Sequence, residues 1–192
     1  MKIGNRITYF IQEVIIVTVG VLIAFSINSY KEKTENEAYV RKTLSAIERE
    51  IRLNQSGLDT VLNRHIEMVE VLETRSTESE EPLGEMIGNM GGFQVASLKN
   101  ISLRFFVSNK AELLDFQLIS QLQAIENGTA ILKEKVNRLA DFAYAHINDR
   151  ERETKITFSY FLLDVIESEQ SLMKAYNTFL EDNATHLEQG RE

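Results

Sequence analysis

The sequence predicts an all-α protein: one N-terminal transmembrane helix continuing into a long helix, then an up-and-down bundle of about four helices. Three observations carry that reading. Residues 7–27 form an apolar run, a ladder of apolar positions climbs from Val40 to Leu72, and helix breakers are scarce, with one Pro and nine Gly in 192 residues. Pro82 and four of those Gly (84, 88, 91 and 92) fall in a single stretch, so long helices are expected on either side of it. Residues 1–30 read as a cytoplasmic N-terminus and membrane anchor. Residues 31–192 read as a water-soluble helical domain, and about 160 residues are enough to bury one core.

Composition excludes several functions. With no Cys in the chain, disulfides, thiolate metal sites and thiol catalysis are impossible. A net charge of −8 repels a polyanion, so no nucleic-acid partner is expected.

The first element is ITYFIQEVIIVTVGVLIAFSI, Ile7 to Ile27, broken only by Gln12 and Glu13. A helix of that length, at about 1.5 Å per residue, matches the ~30 Å hydrocarbon core of a bilayer. Tyr9, Phe10 and Tyr30 fall near its ends, where amphipathic rings favour the interface. Ala24-Phe25-Ser26 has the small-x-small form of a signal-peptidase site, but the run is long for a signal peptide and carries a carboxylate, so a retained anchor is expected. Lys31, Lys33, Arg41 and Lys42 outnumber Lys2 and Arg6, and that count alone would hold the domain in the cytoplasm. At about 100° per residue Glu13, Gly20 and Ala24 share one narrow face, and Gly20 with Ala24 makes a small-xxx-small pair suited to close helix approach. The competing reading has Gln12 and Glu13 marking the interfacial edge of a shorter apolar core that begins at Val14.

The run QEVIIVTVGVLIAFSINSY resembles the opening signature of a domain-of-unknown-function family of single-pass membrane proteins of Bacteroidota, whose members read close to GEIILVVIGILIALQINNW. Glu13, Ile15, Val17, Gly20, Leu22, Ile23, Ala24, Ile27 and Asn28 match as they stand, and Ile16 and Val19 match in apolar character. Gln12, Ser26, Ser29 and Tyr30 depart from the pattern, and the resemblance covers about thirty residues. It implies a bacterial inner-membrane anchor bearing a periplasmic domain, against the basic-residue count, and it implies no catalytic residue.

Beyond the anchor, Val40, Leu44, Ile47, Ile51, Asn54, Leu58, Val61, His65, Met68 and Leu72 alternate four and three apart, the seam of a long helix. Leu62, Ile66 and Val69 widen the stripe toward a bundle. Asn54 and His65 interrupt it. An Asn there can fix register and a His can sense pH, but a partly wetted seam is the commoner arrangement. Residues 74–94 form the long loop, in which Met86, Ile87 and Met90 are a candidate short apolar helix that covers one end of the bundle or meets a partner. Residues 95–107 read as a helix. Asn109 with Glu112 resembles a capping box opening a helix through Leu113, Leu118, Leu122 and Ile125, and Asn127-Gly128 reads as its end. The next helix carries Leu132, Val136, Leu139, Ala143 and Ile147. The charged NDRERETK follows, and the last helix carries Phe158, Phe161, Leu162, Val165, Ile166, Leu172, Met173, Tyr176, Phe179 and Leu180.

Site chemistry is sparse. His65, His146 and His186 lack the Glu-x-x-His or His-x-x-x-His spacing of metal-binding bundles, and the Gly cluster has no Lys-Ser or Lys-Thr, so no metal, cofactor or phosphate loop is expected. Without a nucleophile elbow or paired carboxylates in a recognisable motif, an enzyme is not expected. The expected function is a membrane-anchored interaction or scaffold protein. Its partners would be the bilayer and either its own copies or another membrane protein, met through Glu13, Gly20 and Ala24. The alternatives are a sensor-like bundle that binds a ligand between helices, and an oligomer that moves protons or ions through Glu13.

Overall fold

The computed structural model describes residues 3–75, 80–110 and 113–184, and among them every regular element is a helix. In chain order these are α1 (Ile3–Arg75), α2 (Leu83–Asn89), α3 (Ile101–Lys110), α4 (Phe116–Ala145) and α5 (Arg152–Asp182). The chain divides into two units, Met1–Lys42 and Thr43–Glu192. Lys2, Glu112 and His186, which entered the sequence reading, lie outside the described residues.

The first unit holds the N-terminal part of α1. Its apolar stretch is long enough to cross a membrane, and none of it is covered by the rest of the protein. Thr18 and Ser26 turn their hydroxyls back onto the carbonyls of Val14 and Leu22, each at 2.8 Å, so these polar groups are satisfied within the helix itself. Residues 31–42 continue α1 with Lys31–Glu35 and Lys33–Glu37 pairs one turn apart, and the first fully buried position of the apolar ladder is Leu44.

In the second unit the ladder packs as its spacing predicts: Leu44, Ile47, Ile51, Asn54, Leu58, Val61, His65, Met68 and Leu72 are all buried. Leu62 and Val69 are buried beside it, whereas Ile66 faces out. On α5 the buried seam is Lys155, Phe158, Leu162, Val165, Glu169, Leu172, Tyr176, Phe179 and Asn183, again three and four apart. On α4 it is Leu118, Leu122, Ile125, Leu132, Val136 and Leu139, with half-buried Thr129 completing the spacing.

That spacing explains the main departure from the sequence reading. Asn127-Gly128 does not end a helix, because Ile125, Thr129 and Leu132 keep the three-and-four phase across it and bury one continuous face. Side-chain burial outweighs the roughly 1 kcal/mol that a mid-helix Gly costs. The expected capping box at Asn109 is also displaced. Asn109 lies inside α3, and Asp115 caps α4 by accepting the Leu118 amide at 2.8 Å.

Pairings fix the topology. Gln55–Asn177 and His65–Glu169 run α1 antiparallel to α5, and Gln121–Asp182 and Lys135–Asp164 run α4 antiparallel to α5. α1 and α4 are therefore parallel, and the chain between them must travel back. Residues 93–110 do so, making the fourth segment of an up-and-down bundle. The expected helix over residues 95–107 is half right: residues 93–100 are non-helical and α3 begins at Ile101. Gln94 lies level with His65 and Lys99 level with Asn54. Five residues of extended chain at about 3.3 Å each span the same ~16 Å as eleven helical residues at about 1.5 Å, so the return strand is fully stretched.

Candidate functional site

An extended segment packed into a helical bundle has backbone groups with no ladder partner, and each must find one or lose about 1–3 kcal/mol. The polar residues on the α1 seam supply them. Asn54 acts on Lys99 twice, its Nδ2 donating to the carbonyl at 2.7 Å and its Oδ1 accepting from the amide at 2.9 Å. Glu50 takes the Ile101 and Ser102 amides, one on each carboxylate oxygen at 3.0 Å, and so caps α3. Asn100 in turn donates to Thr129 Oγ1 on α4 at 3.0 Å. The wetted seam expected at Asn54 and His65 is thus corrected: both are buried and bonded.

Tyr176 closes this layer from α5. Its ring is fully buried, and its hydroxyl faces Asn54 and Thr129 without a hydrogen bond of ordinary length and angle. Burial pushes its ionisation above the ordinary 10.0, with a smaller push from the Glu50 charge, while Asn54 and Thr129 pull the other way.

One layer along sits the chemically richest cluster. His65 donates from Nε2 to the Gln94 carbonyl at 2.9 Å, and its Nδ1 meets Glu169 Oε2 at 3.1 Å. A carbonyl oxygen only accepts, so Nε2 is the donor in that bond. Phe93 stacks on the imidazole with ring centroids 4.8 Å apart. Side-chain exposures of 1% for His65 and 2% for Glu169 place the pair out of solvent. Lys155, about four turns nearer the start of α5 than Glu169, is also completely buried.

Two clefts flank this pair. The first, of about 560 Å³, opens between the 93–100 segment and α4, with Val95, Leu132, Val136 and Tyr144 among its walls, Lys133 at its side and Glu169 at its base. The second, of about 330 Å³, lies between α1 and the turn after α2 and is lined by Arg64, Met68, Asn89, Met90 and Gly92 beside His65.

The residues singled out from sequence fall elsewhere. Glu13, Gly20 and Ala24 are all exposed on α1, and a Cβ added at Gly20 would meet nothing within 4 Å. Met86 and Ile87 lie in a short helix with Met90 at its C-cap; Met86 is fully buried, while Ile87 and Met90 are half-buried. α2 closes one end of the bundle: its first amides, Leu83 and Gly84, donate to the Asp149 and Ile147 carbonyls at 2.8 Å. Gly84 is needed for that approach, because a Cβ there would lie 2.9 Å from the Ile147 carbonyl oxygen. Gly91 and Gly92, at φ of 91° and 78°, then turn the chain into the return strand.

Sequence reasoning missed Glu169, Lys155 and Glu50. The signal for the first two was their place on the three-and-four spacing of α5, which apolar residues alone were used to trace. Among the described residues no group of three His, Asp or Glu is placed to hold a metal ion. No family model, curated protein or solved structure matches the chain.

Proposed function

We propose that this chain is a membrane-tethered, non-enzymatic interaction or scaffold protein that associates with its own copies or with another membrane protein. The observation carrying the proposal is the apolar stretch of α1, every residue of which is exposed from Tyr9 to Tyr30. Leaving so much apolar surface in water is costly at about 25 cal/mol per Å², and a bilayer removes that cost. The face bearing Glu13, Gly20 and Ala24 is where a second helix approaches. Small residues allow close backbone contact there, and a carboxylate in lipid favours a protein neighbour over hydrocarbon. The likeness of residues 12–30 to the Bacteroidota signature supports a bacterial inner-membrane location with the soluble unit in the periplasm.

Crosslinking and mass measurement in mild detergent test the proposal. The wild type is expected as an oligomer or with a co-purifying membrane protein, and Gly20→Ile and Ala24→Ile are expected to release it. A strictly monomeric wild type with no companion overturns the reading.

A further inference from the structure

We propose that the cleft between the 93–100 segment and α4 is a binding site for a small amphiphilic amine, an apolar body carrying one ammonium group. This proposal is independent of how the membrane helix associates.

The cleft has the build of a ligand site. Its volume of about 560 Å³ lies within the usual range for small-molecule pockets, and its walls are mostly aliphatic and aromatic. At its base is one buried charged side chain, Glu169. Oε2 of that carboxylate is taken by His65, whereas Oε1 accepts no hydrogen bond among the described residues. Glu169 is among the residues that line the cleft, and Oε1 is the oxygen that His65 leaves for it. A carboxylate oxygen in an apolar setting calls for a donor, and a charged donor makes the stronger bond. His65 holds the carboxyl group from behind, and the Gln94 carbonyl and the Phe93 ring hold His65, so the acceptor is fixed before any ligand arrives. Phe93 and Tyr144 add aromatic rings to the lining, Lys133 stands at its side, and the chain's net charge of −8 favours the approach of a cation. An anionic head group of the same size meets Glu169 with like charge.

The experiment uses the full chain in detergent micelles and three probes of one shape: cyclohexylmethylamine, cyclohexylmethanol and cyclohexanecarboxylate. Thermal unfolding of the wild type is expected to rise by about 5 °C with saturating amine, less with the alcohol and not at all with the carboxylate. Glu169→Gln, which keeps the side-chain shape but turns a donor amide into play, is expected to lose the amine response. Ser97→Trp, at an exposed wall position that leaves the core untouched, is expected to block all three probes. It decides the matter even where Glu169→Gln fails to fold. No shift with amine in the wild type overturns the proposal. So does an equal shift with the carboxylate, or an amine shift that survives Ser97→Trp.

Discussion

The seams of α1 and α4 run parallel in the same bundle with the same spacing, yet they differ in chemistry. Along α4 the inward positions are aliphatic apart from Thr129, whose hydroxyl accepts from Asn100 of the non-helical segment. Along α1 two of the buried positions are Asn54 and His65, and Glu50 stands beside them. α1 faces a stretch of chain that is not helical, and its side chains provide the hydrogen bonds that a neighbouring strand would otherwise give. A polar residue in a heptad ladder can thus report the backbone state of whatever lies opposite.

Substitutions sharpen that contrast. Glu169→Ala removes one partner of a buried pair and leaves His65 facing an empty space, so unfolding in urea is expected to come about 3–5 kcal/mol earlier. A loss under 1 kcal/mol would mean the pair is wetted and not structural. Asn54→Leu strands the Lys99 amide and carbonyl, with an expected cost of about 1–3 kcal/mol. Hydrogen exchange at the Lys99 amide should quicken while amides in the middle of α4 keep their protection. Unchanged exchange at Lys99 would break the comparison.

Tyr176 gives a pH test. Its ionisation is raised in the folded state, so the fold holds the phenolic proton more tightly than the unfolded chain does. That contribution is complete below the ordinary 10.0 and is lost as pH climbs through the folded value, so stability should fall in the alkaline range above about 10. Tyr176→Phe should remove that fall, as followed by circular dichroism across an alkaline titration. The smallest effect is expected on the α4 side. Gly128→Ala gains helix propensity of about 1 kcal/mol and presses a methyl to 3.2 Å from Leu172 Cδ1, the far end of a flexible side chain. The net should be a stabilisation below about 1 kcal/mol in the same urea experiment, and a clear loss would show Leu172 to be rigidly held.

Much of this fold was readable in the residues. The ladder from Leu44 to Leu72 is buried at every step, and the all-helical class and up-and-down order follow from it and from the stripes on α4 and α5. Local signals misled where tertiary packing outweighed them. Asn127-Gly128 looks like a stop, and Asn109 with Glu112 looks like a start, but α4 begins at Phe116 after its Asp115 cap and runs through Gly128 because a continuous buried face lies on either side. The site was harder to see. His65 and Glu169 are 104 residues apart, and Glu169 sits among Glu167 and Gln170 with no local mark distinguishing the buried carboxylate from exposed ones. The spacing Val165, Glu169, Leu172 held the clue, and it becomes legible once a charged residue is allowed to occupy an inward position.

The return strand at residues 93–100 is shaped chiefly by residues that belong to other stretches of the chain. Asn54, Glu50 and His65 grip main-chain atoms, which every amino acid except proline presents alike. The outward side chains of that strand are thereby released from any duty to the architecture. Val95 and Ser97, which border the larger cleft, can be exchanged without retooling the scaffold, so the pocket has one wall whose chemistry is open to retuning while its frame stays put.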